Sequence, residues 1–471
     1  MNEIAQPHPL ATRSDFHAHT GPSLESVGAD PSRSSVRIPL NRTSCYARSF
    51  GNPQSRLFWC DGQLFCGLAR DQAAFIQKLE TNETIRYLTQ KKLFAHIEPA
   101  RIDVEGFDQV LRIVPTPRVS YVYEWCPAMW RDAALAMINV LSELLALNLT
   151  LRNPHPWNVL FFGCQPLYVD HGSIVPFQEE TFWRGYEKLC RFLIHPLLLN
   201  ATGQSLVGRR LLHDVHMGIR SEDFPYLASF TLRLKEKYRE SALPQFLRSL
   251  QKAVEDIEVP DPQTKWTGYH GVSSAEPSDW STKETTIHHV LSNLRPHSLL
   301  DVGCNEGRYS RLAESLGLEV TATDADEICV NHLYDLTRTQ NRRILPAVID
   351  FTNPSPGYGV AYRWFPPATE RFASEMVLGL AIEHHLVFGR YRLTFDEVAR
   401  GFASFSKRWL LVEFIPPGAD TNANPQEWRP ESTVWYNADS FIAALCTEFC
   451  SVTKLAHNEG ERILLLCDKK E

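Results

Sequence analysis

The sequence has no surplus of positive charge. Its 48 Lys and Arg stand against 55 Asp and Glu, a formal net charge of −7, so composition gives no electrostatic reason to expect a nucleic-acid partner, which ordinarily needs a basic face. It has no long apolar run either. Stretches such as RFLIHPLLL at Arg191–Leu199 fall well short of the roughly 20 residues that cross a bilayer. The start, MNEIAQPHPLATRSDFHAH, lacks a basic head followed by an apolar core, which argues against a secretory signal. The 11 cysteines form no CxxC pair and no framework spacing. Cys446 and Cys450, four apart on an expected helix, read as small buried hydrophobes rather than metal ligands. Reduced thiols in a cytoplasmic protein with no bound metal are therefore expected. No internal repeat is visible.

What is present is enough chain for two or three domains: 471 residues, 44% of them apolar and 22% charged. Residues 1–40 are rich in Ser, Pro, His and Arg without apolar periodicity, and are expected to be a disordered tail. Residues 41–258 open with the strand-like runs RLFWC, QLFCGLA, QVLRIV and VSYVYEW. A helical pattern follows in which Leu135, Ile138, Leu141, Leu144 and Leu145 share a face. After a strand LYVD comes a largely helical region from Glu179 to Glu258. Residues 259–282, rich in Pro, Gly and Ser, read as a linker and entrance segment. From residue 283 to 471, helices alternate with the apolar strands SLLDV, EVTATD, ILPAVID, EMVLGLAI and WLLVEFI, then SVTKLA and RILLLCD. That alternation predicts a doubly wound, largely parallel sheet. The short HNEGE turn between the last two strands makes the final one antiparallel.

The strongest chemical signal is Asp301-Val-Gly303-Cys304-Asn305-Glu306-Gly307, between a strand and a helix. Glycines there let backbone approach a ligand where a Cβ would collide. The dinucleotide fingerprint is not met, because Asn305 stands where its second glycine belongs. About twenty residues on, the next strand ends at Asp324, where an acid holds the two hydroxyls of a ribose. The third strand ends at Asp350-Phe351, a carboxylate for an adenine amine and a ring for the base to stack on. Alone, each acid could be a cap or a turn residue; together, three acids at consecutive strand ends outline a nucleoside site.

With these motifs in place, residues 283–471 resemble a class I S-adenosylmethionine-dependent methyltransferase, LLDVGCNEGRYS being its first motif. The expected fold is α/β: a doubly wound, seven-stranded, Rossmann-like class I methyltransferase domain preceded by an α+β kinase-like domain. The resemblance implies S-adenosylmethionine as cofactor, with Gly303, Cys304, Asn305 and Gly307 lining its methionine part. Asp301 would order the loop or hold the cofactor's amino group, Asp324 would bind the ribose, and Asp350 with Phe351 would face adenine. Methyl transfer needs an aligned nucleophile and, for a hydroxyl or protonated amine, a base. His384 and His385, in the Glu383-His384-His385 with which the fourth strand is expected to end, are the candidates, since histidine titrates near neutrality. Trp280 and Lys283, at the entrance helix, are candidates to cover the cofactor or meet the substrate, with a packing role competing for Trp280. Glu413, at the end of the fifth strand, is a further candidate at the acceptor side. Enzymes of this kind that methylate nucleic-acid amines often carry an (N/D/S)PP(Y/F) turn after the fourth strand. Here EHHL stands in that place, and the NPSP at Asn353 follows the third strand.

The front domain carries RNPHPWNVLF, Arg152 to Phe161, followed by Asp170-His171-Gly172. This resembles a kinase catalytic loop and metal-binding turn with Asn153 at the base position, Asn158 as the metal-side asparagine and Asp170 as the metal-side acid. No lysine or glycine-rich phosphate loop of kinase type precedes it, and an amide is not basic. An inactive kinase-like domain is the preferred reading, beside a working phosphotransferase and a turn-rich loop of no catalytic meaning. The pairing of such a domain, through Trp157–Phe161, Trp183-Arg-Gly-Tyr186 and Pro196–Leu199, with a methyltransferase resembles rhizobial host-specificity nodulation proteins of the NoeA type. The whole reads as methyl transfer to a small-molecule, lipid or saccharide acceptor. A non-catalytic sensor of cofactor or nucleotide is the reading from another class.

Overall fold

The computed structural model describes residues 36–39, 43–45, 54–115, 118–268, 280–362, 364–417, 419, 434–455 and 462–469. Most of the expected tail lies outside them. Its boundary at residue 40 is corrected, because Val36–Ile38 is a strand paired in parallel with Ile102–Val104.

The front domain begins with a five-stranded antiparallel sheet, in the order Ser44–Cys45, Ser55–Cys60, Gln63–Leu68, Gln109–Val114, His96–Pro99. Its central hairpin turns on Asp61-Gly62, both with positive φ (47° and 73°), the geometry for which Asp-Gly is favoured. The helix Arg70–Thr81 follows the third of these strands in chain order. The amphipathic pattern noted in the sequence becomes the 20-residue helix Pro127–Ala146. Ala128, Met129, Ala133, Ala134, Met137, Ile138 and Val140 are all enclosed, because the helix packs on the front-domain helix Leu243–Glu255 and also on the rear-domain helix Glu327–Thr339.

That rear domain is one seven-stranded sheet. Its strands are β1 (Ser298–Val302), β2 (Glu319–Asp324), β3 (Ile344–Val348), β4 (Ser374–Gly379), β5 (Ser406–Phe414), β6 (Ser451–Leu455) and β7 (Ile463–Asp468). The order is β3-β2-β1-β4-β5-β7-β6. Strands β1 to β5 are mutually parallel, and β7 runs antiparallel to both β5 and β6. The expected closing pair therefore forms, although its turn lies outside the described residues. The helices used below are α1 (Thr282–Leu294), α2 (Arg308–Ser315), α3 (Glu327–Thr339), α4 (Glu383–Phe388), α5 (Phe395–Phe405) and α6 (Ala438–Glu448). Successive side chains of a strand point to opposite faces. Leu299 accordingly joins a core under α1 and α2, while Leu300 joins a core continuous with the front domain.

The two domains share more than apolar surface. The side-chain carbonyl of Asn331, on α3, accepts from Ala128 N at 2.9 Å, satisfying one of the orphan N–H groups at the start of the long front helix. Tyr334 donates to Asp132 at 2.7 Å. Arg371 is buried over the Tyr121 ring (4.2 Å) and forms an ion pair with the fully buried Glu124. Arg118 pairs with Glu319 and Arg209 with Glu327, both at 2.8 Å. Among the described residues no helix is long and apolar enough to cross a membrane.

Candidate functional site

Strand β1 carries Asp301 to the carboxyl edge of the sheet, and the chain then turns through Gly303 (φ 70°), Asn305 (φ 51°) and Gly307 (φ 75°) into α2. Both glycines are required twice over. Their φ lies in the left-handed region, and a Cβ would come within 2.7 Å of Ile382 at Gly303 and 2.4 Å of Leu333 at Gly307. The turn folds back on β2: Gly303 N and Cys304 N donate to Thr323 O (2.8 and 3.0 Å). Asn305 N donates to the Asp324 carboxylate at 2.8 Å, and Asp326 N donates to its other oxygen at 2.9 Å. The loop and the second-strand acid are thus one unit.

Asp301 lies beneath that unit, 2% exposed, accepting from Ser310 Oγ at 2.6 Å. Burial raises its pKa to about 6, the Ser310 bond opposes the shift, and the Asp324 charge adds to it. Burial likewise raises Asp324. Two crowded carboxylates of reluctant charge form a place where a cationic ligand is favoured. Asn305 Oδ1 is buried and has no protein partner among the described residues, leaving an acceptor beside them. Cys304 is buried, with its thiol pushed up by burial and by both acids, and serves as wall rather than nucleophile. A sulfonium cation that also bears an amino group and a ribose matches this donor and acceptor set.

The third-strand residues divide. Asp350 is half-buried and accepts from Thr352 N and Oγ1 (2.9 and 2.6 Å). Phe351 packs against Phe402 (4.7 Å between centroids) beneath Gly401. Its ring is spent on the sheet–α5 core, a correction to the stacking expectation. Lys283 and Glu413 are corrected as well. They form a buried ion pair at 2.5 Å, 5% and 0% exposed at their side chains, with Arg462 4.0 Å from the other carboxylate oxygen. They tie α1 to β5 and are not presented to a substrate. Trp280 packs on His288 (4.9 Å), the packing alternative.

His384 and His385 do not end a strand: β4 stops at Gly379 and the pair opens α4. Their rings are 3.9 Å apart. His384 is 3% exposed and His385 half-buried. The residue before them, Glu383, was quoted in the sequence without a role. It is wholly buried, accepts from Ile415 N at 2.7 Å and has the Tyr436 hydroxyl 2.8 Å from both oxygens. Burial raises it to about 8. Glu383 braces α4 against the end of β5 and the approach to α6. Two further features escaped the sequence. Glu284 and Arg308 lock the starts of α1 and α2 through a two-bond pair (2.7 and 2.8 Å). The supposed linker lies across the glycine loop: Asn305 Nδ2 donates to Trp266 O at 2.7 Å, and the Trp266 ring stands 4.8 Å from that of His385. The available signal was the presence of large rings, Trp266, Tyr269 and Trp280, in an otherwise polar, proline-rich stretch.

The front turn is arranged differently. Asn158 Nδ2 is 3.3 Å from Asp170 Oδ2. But Asn158 and Asp170 are 2% and 3% exposed, and burial raises Asp170 to about 7 against the opposing charge of Arg152. A Cβ on Gly172 would strike Ser55 at 2.2 Å and Leu68 at 2.8 Å, so the sheet is seated directly on the turn. Asn153 Oδ1 accepts from Lys188 at 2.7 Å.

The sheet order, the antiparallel seventh strand and the glycine loop define a Rossmann-like methyltransferase fold. Residues 279–355 match the family of the tellurite resistance protein TehB. Over 462 residues the chain is 24% identical to the nodulation protein NoeA of Rhizobium meliloti (strain 1021), an alignment spanning 90% of this chain and 96% of that one. Among solved structures, the bifunctional kinase-methyltransferase WbdD matches with a TM-score of 0.28 at 15% identity, covering 39% of this chain and 38% of that one, so the chain spans less than half of that structure. TehB from Haemophilus influenzae matches at 0.26 and 16% identity, covering 40% and 62%. The magnesium protoporphyrin IX methyltransferase of Synechocystis PCC 6803 with bound S-adenosylmethionine matches at 0.26 and 13%, covering 40% and 80%.

Proposed function

We propose that the chain transfers a methyl group from S-adenosylmethionine to a small-molecule, lipid or saccharide acceptor, with the front domain a kinase-like body that does no phosphoryl chemistry. The observation that carries this reading is the glycine loop folded onto Asp324, with an unpaired buried acceptor at Asn305 beside it. When bound, the cofactor supplies an activated methyl on a sulfonium, so the protein's work is binding, alignment and proton removal. Asp324 would hold the ribose hydroxyls, with Asp350 on the adenine side. Gly303 and Gly307 keep the loop free of side chains, and Asp301, through Ser310, keeps α2 at its start. His385, half-buried on α4, would take the acceptor's proton, and His384, whose ring lies against it, would hold that ring. Glu383 positions both by fixing α4. The similarity to a nodulation protein along nearly the whole chain supports a role in nodulation; a cytoplasmic site of action is part of the same proposal.

The test is incubation of the full chain with methyl-labelled S-adenosylmethionine and separated bacterial lipid, saccharide and small-molecule fractions. Label is expected in one of these fractions and absent with His385→Ala. Failure of the wild-type chain to bind S-adenosylmethionine at all would overturn the reading.

A further inference from the structure

The segment between the domains is latched over the site at several points. Asp261 lies 2.6 Å from His332 Nε2, whose Nδ1 lies 2.9 Å from Glu306 of the glycine loop. Asn305 holds Trp266 O, and Gly268 N donates to Glu306 at 3.2 Å. These bonds carry residues 261–268 from α3, across the glycine loop, to α4, where the half-buried indole of Trp266 meets His385 edge-to-face. The backbone of Trp266 is thus bonded to the loop proposed to hold the methionine part, and its ring touches the base proposed for the acceptor. The ring also has a cation over it already: Lys265 Nζ is 4.3 Å from its centroid.

An indole face attracts cations more strongly than any other side-chain ring. S-adenosylmethionine is a sulfonium cation, whereas S-adenosylhomocysteine, left after transfer, has a neutral thioether. We propose that Trp266 is a positioning and specificity-determining residue, whose indole closes the crevice over the sulfonium and favours the charged cofactor over its neutral product. The inference rests on the reading of this crevice as the S-adenosylmethionine site. It adds a function for the interdomain segment: release of the product once the charge that held it has been transferred away.

The test compares equilibrium affinities of the full chain for the two ligands by calorimetry, in wild type, Trp266→Phe and Trp266→Leu. Leu keeps apolar bulk without a π face, and Phe keeps a weaker one. Trp266→Leu is expected to weaken S-adenosylmethionine binding roughly threefold to thirtyfold more than S-adenosylhomocysteine binding, with Trp266→Phe between. Equal weakening of both ligands would make the ring mere packing and overturn the proposal, as would no change in either. If the wild type binds neither, the cofactor reading falls and this falls with it; binding without discrimination removes this inference alone. Circular dichroism identifies a variant that fails to fold, and the Phe substitution then carries the comparison.

Discussion

Two turns in this molecule place an acid beside a glycine at a strand end, and they have opposite fates. At Asp170-His171-Gly172 the front sheet is pressed against the turn, Asn158, Asp170 and His171 are all enclosed, and the acid is pushed toward neutrality. At the glycine loop of the rear domain, Asp324, Asp350 and His385 remain half-exposed, and backbone N–H groups from Asn305 and Asp326 are aimed at the second-strand carboxylate. The residue types barely differ. Burial raises both Asp170 and Asp324; what differs is whether neighbouring elements leave part of the acid exposed to a ligand, as they do at Asp324 and not at Asp170.

The contrast can be broken or sharpened experimentally. The largest effect is expected where the two regions meet. Arg371→Met leaves Glu124 as an unpaired charge in the shared core, and should cost about 3–5 kcal/mol of stability, read by urea denaturation. Two separate transitions, with the rear one unchanged, would show that the domains do not depend on each other. Next, Asp324→Ala should weaken S-adenosylhomocysteine binding roughly tenfold to a hundredfold, the scale of hydrogen bonds to a charged group, while Asp170→Ala leaves it unaltered. An equal loss in both would erase the distinction between the turns.

A smaller effect concerns pH. Because the folded state holds Asp170 at about 7 rather than 3.8, it binds more protons than the unfolded chain between those values. Stability therefore falls as pH rises from about 4 to about 7 and levels off above. Asp170→Asn removes this contribution and should flatten the stability–pH curve in that window. The slopes of the same sign from Asp301, up to about 6, and Glu383, up to about 8, remain. An unchanged curve would mean that Asp170 is not sealed. The smallest expected effect is none: magnesium-ATP should leave the thermal midpoint where it is, because no ligand gains from binding a closed turn. A rise of several degrees would return the front domain to the phosphotransferases.

Much of the rear domain was legible because its signals are local. Strand alternation, Gly303 and Gly307 and the acids at strand ends follow from short-range sterics and from hydrophobic period. Lys283 and Glu413 were misjudged because they are 130 positions apart; only the fold brings the two charges together, where pairing in the core outweighs exposure to a ligand. Phe351 was misjudged because an aromatic at a strand end can face either a ligand or a helix, and Gly401 on α5 opened the second choice. His384 and His385 were located well but assigned to the wrong element, since a six-residue helix has little periodicity to read.

The sequence by itself determined the parallel alternation, the glycine turn and the non-basic amide at Asn153, because each depends on the chemistry of a few adjacent residues. Only the tertiary structure decided that Asp170 is sealed and Asp324 partly exposed, that the Trp266 backbone is bonded to the glycine loop, and that one core runs through both domains. Burial, desolvation and long-range pairing are properties of neighbours brought together by folding, and none of them is written in the residue that feels them.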